Sequence, residues 1–470
     1  MTKIYAKFIN KIVIVGCGSI GQGTLPLILR HIDVDKKNIS IVTADERGRE
    51  IAKKEGIAFY INPLTPKNLE KVLTPLLGEG GFLVNLSVDV SSVALMRYCQ
   101  KHKALYIDTS VESWPDGYAD SKIPISERAN YGLRESAMKL KKEFKNGPTT
   151  IVCHGANPGI VSHFLKRALM TIAKDVGMKA NKPANREEWA KLAKNLGVKT
   201  IHCAEYDTQT TNKPKQIGRC ENTWSVDGLY GEAVCLPSEL GWGTHEKQLP
   251  PDGRKYNFGC KSAIYLLRPG TEVKVRTWTP ARKNFIGKVI THNESISIAD
   301  YFTLKKGNKV LYRPTVHYAY RLCDAAMLSL DEIIGKNYRI GEQRILMDEI
   351  VDGMDELGML IMGHKKNAYW YGSQLTIQQA RKLAPYQNAT GLQVTIGVLA
   401  AIVWAIENPR MGIIEADDMD FERMMEIIEP YMGKMVGEYT DWTPLTGRQK
   451  LFPESVDKKD PWQFKNFRVV

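Results

Sequence analysis

At 470 residues the chain is too long for one ordinary core and predicts two or three domains, while 43% hydrophobic and 25% charged residues are the proportions of a soluble globular protein. The formal charge of +13, from 65 basic and 52 acidic residues, raises the question of a nucleic-acid partner, but the lysines are dispersed and no basic stripe interleaves with aromatics, so none is expected. Eight cysteines stand singly at 17, 99, 153, 203, 220, 235, 260 and 323, with no C-x-x-C pair and no tight Cys/His cluster, which predicts reduced thiols in a cytoplasmic protein and no metal.

Residues 1–10 are short and mixed with Lys3 and Lys7, which makes no signal-peptide core. The stretch 11–21, KIVIVGCGSIG, then runs four apolar β-formers into Gly16, Gly18 and Gly21, the order strand, G-x-G-x-x-G, helix. In a dinucleotide site Gly16 permits the tight turn, Gly18 lets the backbone approach a pyrophosphate, and Gly21 lets the helix pack close to the strand. The first amides of that helix, at Ser19 and Ile20, then face the phosphates. A glycine-rich structural turn is the alternative. A second strand, 39–42, ends in Thr43-Ala44-Asp45. An acid there accepts both ribose hydroxyls and repels a 2′-phosphate, favouring NAD over NADP. The spacing is a few residues longer than the usual ~20, and Arg47 offers a possible phosphate partner.

A strand at 58–61, a helix at 69–77 stopped by Gly78, and a strand at 82–86 follow, with Asn85 and Ser87 at the carboxyl end where doubly wound sheets place ligands. Helical spacing at 91–102 and a strand at 105–108 lead into DTSVESW, which contains Thr109, Ser110 and Glu112. Alternating βα units over about 150 residues predict a parallel sheet covered on both faces, a Rossmann domain spanning 1–156. Its last strand, 150–153, ends in His154-Gly155-Ala156-Asn157-Pro158-Gly159, at the same sheet edge as the phosphate loop; a strand-to-helix turn capped by Asn157 reads the same way. The candidate cofactor residues are therefore Gly16, Gly18, Ser19, Ile20, Gly21, Thr43, Asp45, Asn85, Ser87, Thr109, Ser110, Ala156, Asn157 and Pro158.

Beyond 157 the pattern changes to a helix at 186–196 and short β-like runs at 200–206, 223–226, 263–265 and 272–276, separated by Pro and Gly turns. This predicts a mixed α+β second domain over 157–380 with antiparallel strands. Helices dominate the segment 381–470. The apolar run 391–406 is interrupted by Gln393 and falls short of the ~20 residues a bilayer needs, so it reads as a buried helix, with no membrane partner expected. The Met-rich stretch 421–432 reads as core filler. An apolar helix needs cover, so this segment is expected to pack back on the first domain.

Four places in the second domain carry unusual polar or aromatic residues: His202-Cys203-Ala204-Glu205-Tyr206, Glu221-Asn222-Thr223-Trp224-Ser225, Gly231-Glu232-Ala233 and Thr291-His292-Asn293-Glu294. Singly, each reads as a surface charge, a core aromatic or a loop histidine. Together, Glu112, Glu205, Glu232 and Glu294 beside Trp224 make a pocket for an ammonium-bearing substrate. Carboxylates give charge-assisted hydrogen bonds, and an indole face attracts a cation without offering it a proton acceptor. The net positive charge opposes such a substrate only weakly, because screening acts within ~8 Å at physiological salt.

GCGSIG, DTSVESW, HGANPG, CAEYDTQ, ENTWSVDG and THNES, in this order and over nearly the whole length, resemble the bacterial homospermidine synthase family within the saccharopine dehydrogenase-like group. The resemblance implies a Rossmann domain, a second α/β domain that also makes a homodimer, and an NAD retained through turnover. It implies transfer of an aminobutyl group between two putrescines through an imine, giving homospermidine and ammonia; spermidine is a further possible substrate. Glu112, Asn157, Glu205, Trp224, Glu232, His292 and Glu294 then fall on pocket positions. Trp224 would stabilise the iminium, Glu232 hold an ammonium and pass protons, Glu205 and His292 position and deprotonate amines, and Glu112 grip near the nicotinamide; Asn157 and Glu294 would bind substrate. The rival readings are a net NAD(P)-dependent dehydrogenase of the saccharopine or carboxyspermidine type, which would want an arginine clamp, and a non-catalytic NAD-binding regulator.

Overall fold

A computed structural model describes residues 3–115, 117, 120, 122–179, 181–448 and 451–469. The strand Ile12–Val15 is buried along its whole length, with Ile12 and Ile14 in one hydrophobic cluster and Val13 and Val15 in another. That two-residue alternation between two covered faces is what a central strand of a parallel sheet requires. Seven strands form the sheet, in the spatial order Ile413–Glu415, Thr150–Val152, Leu105–Asp108, Phe82–Asn85, Ile12–Val15, Ile39–Thr43 and Ala58–Ile61. All six pairings are parallel. The Rossmann domain expected from the alternating pattern is present.

The second sheet has eleven strands among the described residues. At its centre Thr200–Asp207 runs parallel to Thr315–Arg321 and antiparallel to Met354–His364. Ile201 and Cys203 join the core that also contains Ile12, Leu25 and Ile41 of the first domain, while Ala204 faces away, under Trp462, Phe464 and Phe467. One apolar core therefore runs through both domains. The run 223–226 is not a strand. The strand Arg219–Asn222 stops before it, and the Ser225 side chain accepts from the Gly228 amide to cap the short helix Val226–Tyr230. A Ser placed three residues before a glycine favoured the cap over continued β pairing.

The segment 381–470 is less helical than its periodicity suggests. Its helices Ala389–Glu407 and Phe421–Ile428 are present, but it also adds Ile413–Glu415 to the first sheet and Lys434–Thr440 to the second. A strand of three residues after Gly412, two of them apolar, is too short to show a period. The helix Ala389–Glu407 is apolar and long enough to cross a membrane, but it is buried among the helix Ser19–His31 and strands of both sheets. Its backbone approaches so closely that a Cβ on Gly397 would lie 2.1 Å from the Gly155 carbonyl oxygen. A helix apolar all round belongs in such a place.

A buried charge network joins the domains beside the future site. Arg134, 2% exposed, donates from Nε and Nη2 to the two carboxylate oxygens of Glu415 at 2.7 and 2.5 Å, and Nη2 also reaches Asp300 at 3.2 Å. Glu415 ends the edge strand of the first sheet, and Asp300 lies on the second-domain helix Asn293–Tyr301. Breaking a buried pair by removing one partner typically costs about 3–5 kcal/mol, whereas replacing both partners by apolar side chains can be neutral. Arg134→Met should therefore lower the urea unfolding midpoint by an amount equivalent to a few kcal/mol, as a typical value, and Arg134→Met with Glu415→Leu should recover part of it. An unchanged midpoint for the single variant would contradict this account of the junction.

Candidate active site

The glycines make a cradle for a dinucleotide. Gly16 has φ +87°, and a Cβ there would lie 2.8 Å from Leu86 O and from the Ser87 backbone; one on Gly21 would lie 2.7 Å from Gly16 O. A Cβ on Gly18 would meet nothing within 4 Å, so its backbone is open to a ligand. The helix Ser19–His31 starts there with no side-chain cap and no acid in its first turn. Uncapped amides and the helix dipole suit a phosphate anion. Asp45 accepts from Arg47 Nε at 2.8 Å and from the Arg47 amide at 2.9 Å, and these bonds hold its carboxyl below the usual range. Arg47, the candidate partner for a 2′-phosphate, is engaged by Asp45. The residues present fit NAD.

A cavity of about 470 Å³ opens from this cradle into the second domain. Gly16, Gly18, Ser19 and Ile20 line it together with Thr43 and Asp45, and so do Ser87, Thr109, Ser110, Ala156, Asn157 and Pro158. Two expected cofactor residues do not. Gly21 packs beneath Gly16, and Asn85 lies behind the wall, accepting from Ser87 Oγ at 2.6 Å and donating to the Tyr106 hydroxyl at 3.3 Å. Asn85 ends a fully buried strand, so its amide turns to the interior and orients Ser87 instead of touching a ligand.

Glu112, Glu205, Trp224, Glu232 and His292 line the same cavity. Glu205 lies near the end of the central second-sheet strand Thr200–Asp207 and accepts from the Tyr318 hydroxyl and, at 3.3 Å, from Asn157 Nδ2 in the turn after the Rossmann strand Thr150–Val152. Burial, joined by the charge of Asp207, lifts its carboxyl well above the usual glutamate range, against the pull of Tyr318 and His292. Trp224 sits between strand and helix with its Nε1 donating to Tyr320 at 3.3 Å. Glu232 lies on a π-helical turn, Gly231–Cys235, a feature frequent at functional sites. Its carboxylate is 3.1 Å from His292 Nε2, and Glu294 is 3.4 Å from His292 Nδ1. Burial alone would push the imidazole down, but the charges of Glu294 and Glu232 carry it well above its ordinary value, which favours the imidazolium.

Glu294, expected to bind substrate, is fully buried and does not line the cavity; it stands behind His292 as its counter-charge. Near-adjacent residues at the start of a helix need not share a surface, and here His292 takes the cavity side. The sequence reading also missed four groups. Tyr318 and Tyr320, with rings 5.0 Å apart, brace Glu205 and Trp224 from the Thr315–Arg321 strand. Asp207 lies two residues from Glu205 on the same face, and Asp355 opposes it in register. Asp207 accepts from Thr223 Oγ1 at 2.7 Å and Asp355 from Thr390 Oγ1 at 2.6 Å, and burial raises both carboxyls. The Glu205, Asp207 spacing of two was visible in the sequence; the Asp355 pairing was not.

Comparison with known proteins gives two family-model matches: the saccharopine dehydrogenase NADP binding domain over residues 12–152 and the saccharopine dehydrogenase C-terminal domain over 155–441. The chain is 52% identical to a homospermidine synthase of Mesorhizobium japonicum, covering 99% of this chain and 98% of that one. It is 50% identical to a homospermidine synthase of Blastochloris viridis, with the same coverage. It also matches the crystal structure of the homospermidine synthase from Legionella pneumophila in complex with NAD, with a TM-score of 0.93 and 45% identity over 100% of this chain and 99% of that one.

Two outcomes follow from the geometry. Asp45→Ala removes the ribose acceptor and frees Arg47, so binding titrations should show NAD weakened and the NAD-over-NADP preference narrowed by about tenfold or more, as for loss of a charged hydrogen bond; an unchanged ratio would refute the role. Tyr318 stabilises the ionised form of Glu205, so Tyr318→Phe must raise that carboxyl further. If Glu205 acts as a base, the rising limb of kcat/KM lies above the ordinary glutamate range in the parent and moves to higher pH in the variant. A limb that stays in place would rule Glu205 out as the titrating group.

Proposed function

The chain belongs to the homospermidine synthase family, within the saccharopine dehydrogenase-like group, and from that premise we propose that it transfers the aminobutyl group of one putrescine to the nitrogen of a second, yielding homospermidine and ammonia with NAD as a bound cofactor. The observation that carries this reading is a single cavity lined both by the dinucleotide cradle and by Glu112, Glu205, Glu232, Trp224 and His292. The arginines that reach the cavity, Arg47 and Arg344, pair with Asp45 and Glu349. A net dehydrogenase acting on amino acids would want a free guanidinium for the substrate carboxylate.

The dinucleotide supplies reversible hydride chemistry at the carbon bearing the reacting nitrogen. The side chains do the rest. Glu205, whose buried carboxylate has a raised proton affinity, takes the proton that must leave the reacting ammonium before oxidation. Trp224, fixed at its Nε1 by Tyr320, presents a π-system to the iminium. The His292 imidazolium, held between Glu232 and Glu294, passes a proton from Nε2 through the Glu232 carboxylate to the nitrogen that departs as ammonia. Glu232 holds the ammonium of the incoming diamine, and Glu112, hydrogen-bonded by Ser110 at 2.9 Å, grips the diamine near the cradle. Asn157, bonded to Glu205, keeps the two halves of the site in register. A homodimer and a cytoplasmic location accord with this reading, the latter supported by eight free thiols.

The test is to supply excess putrescine with NAD in an amount far below the product to be formed, and to follow products. Homospermidine and ammonia should form one to one, with no accumulation of reduced nicotinamide in solution; stoichiometric NADH release would show an ordinary dehydrogenase. Trp224 gives a second check. A desolvated cation–π contact is worth about 2 kcal/mol, so Trp224→Ala should lose roughly 30-fold or more in kcat/KM while staying folded and loaded with NAD. Trp224→Phe should retain an intermediate rate, and equal rates for the two would refute the electrostatic role.

A further inference from the structure

The strands Arg219–Asn222 and Glu342–Ile345 pair in parallel as a small sheet apart from both large ones. After the first come Thr223, Trp224, the helix Val226–Tyr230 and the turn bearing Glu232; the second brings Gln343 and Arg344 to the cavity. Gln343 Nε2 donates to Asp227 Oδ1 at 2.7 Å, tying the two arms together, and the charge of Asp227 is felt by Arg47 in the cradle. This strap therefore forms a wall of both the substrate end and the cofactor end.

One buried side chain fastens it. Asn388 Nδ2 donates to Thr223 O at 2.6 Å and to Leu346 O at 2.9 Å, the residues that directly follow the two strap strands. Its Oδ1 accepts from the Gly391 amide at 2.6 Å, capping the core helix Ala389–Glu407. The neighbouring Gln387 fills the space over Gly23 of the cradle helix, where a Cβ would lie 1.2 Å from its Nε2. The strap, the core helix and the cradle helix thus meet at Asn388. An amide supplies two donors and an acceptor from one short planar group; a carboxylate supplies no donor, and a hydroxyl has only one.

We propose that Asn388 is a positioning residue that latches the strap over the NAD site, so that the cofactor stays bound while ammonia leaves and the second diamine enters. Retention across turnover belongs to the reading above, but latching of bound NAD can be measured without any diamine. Asn388→Ser and Asn388→Asp both keep a good helix cap and both lose the paired donors. NAD dissociation from the loaded protein, followed by gel filtration and by displacement with a labelled dinucleotide, should quicken by about tenfold or more, as for loss of two buried hydrogen bonds. With putrescine present, reduced nicotinamide should now leak into solution. Unchanged dissociation in a folded variant overturns the proposal. The parent protein gives a second measurement that no folding failure can obscure: amide exchange in Arg219–Asn222 and Glu342–Ile345 should slow when NAD binds, and exchange there that ignores NAD also overturns it.

Discussion

The site depends on a buried cation. His292 lies between Glu232 and Glu294 at 3.1 and 3.4 Å, fully enclosed on the Glu294 side and facing the cavity on the other. Isolated carboxylates in such a place would be expensive to keep charged. An imidazolium between them offsets that expense, with its Nε2 turned to Glu232, which also lines the cavity. Glu205 answers the same pressure in the opposite way: with Asp207 and Asp355 on one sheet face, burial raises the proton affinity of the group. One wall thus holds charge and the other holds a transferable proton, which suits chemistry in which an amine must lose a proton and ammonia must gain one.

The rest of the fold brings these walls to the cavity that opens from the cradle. Asn293, beside His292, donates to Glu415 at 3.3 Å, the carboxylate that Arg134 also clasps, so the histidine loop is tied to the edge of the Rossmann sheet. Asn157, in the turn after the Rossmann strand Thr150–Val152, reaches Glu205 on the second sheet. The chain carries a charge of +13 overall, yet its cavity concentrates glutamates. Over distances beyond ~8 Å the surface charge is screened, and the local acids decide capture of a dication.

Much of this was legible in the sequence because it rests on local rules. Gly16, Gly18 and Gly21 announce the cradle through the left-handed turn at Gly16, the open backbone at Gly18 and the close helix–turn approach at Gly21, and the apolar strand before them announces a covered sheet. Glu205, Trp224, Glu232 and His292 were assembled by resemblance, not by pattern, since nothing in their spacing brings four separate segments to one cavity. The misplacements share a cause. Asn85 and Glu294 stand next to residues that do face the cavity, and which of two neighbours turns inward is decided by tertiary packing. Asp355, Tyr318 and Tyr320 are placed by strand register, and Asn388 by the meeting of three distant elements. The strand Ile413–Glu415 was hidden by its brevity.

On this account one cavity keeps the cofactor and the diamine together from oxidation to reduction. Putrescine deuterated at the carbons beside nitrogen, turned over in ordinary water with excess unlabelled NADH in the medium, tests this most directly. Homospermidine that keeps its full label, with no deuterium in the external nicotinamide, is the predicted result. Label lost to the external pool would contradict the account, because the hydride would then have left the cavity between the two halves of the reaction.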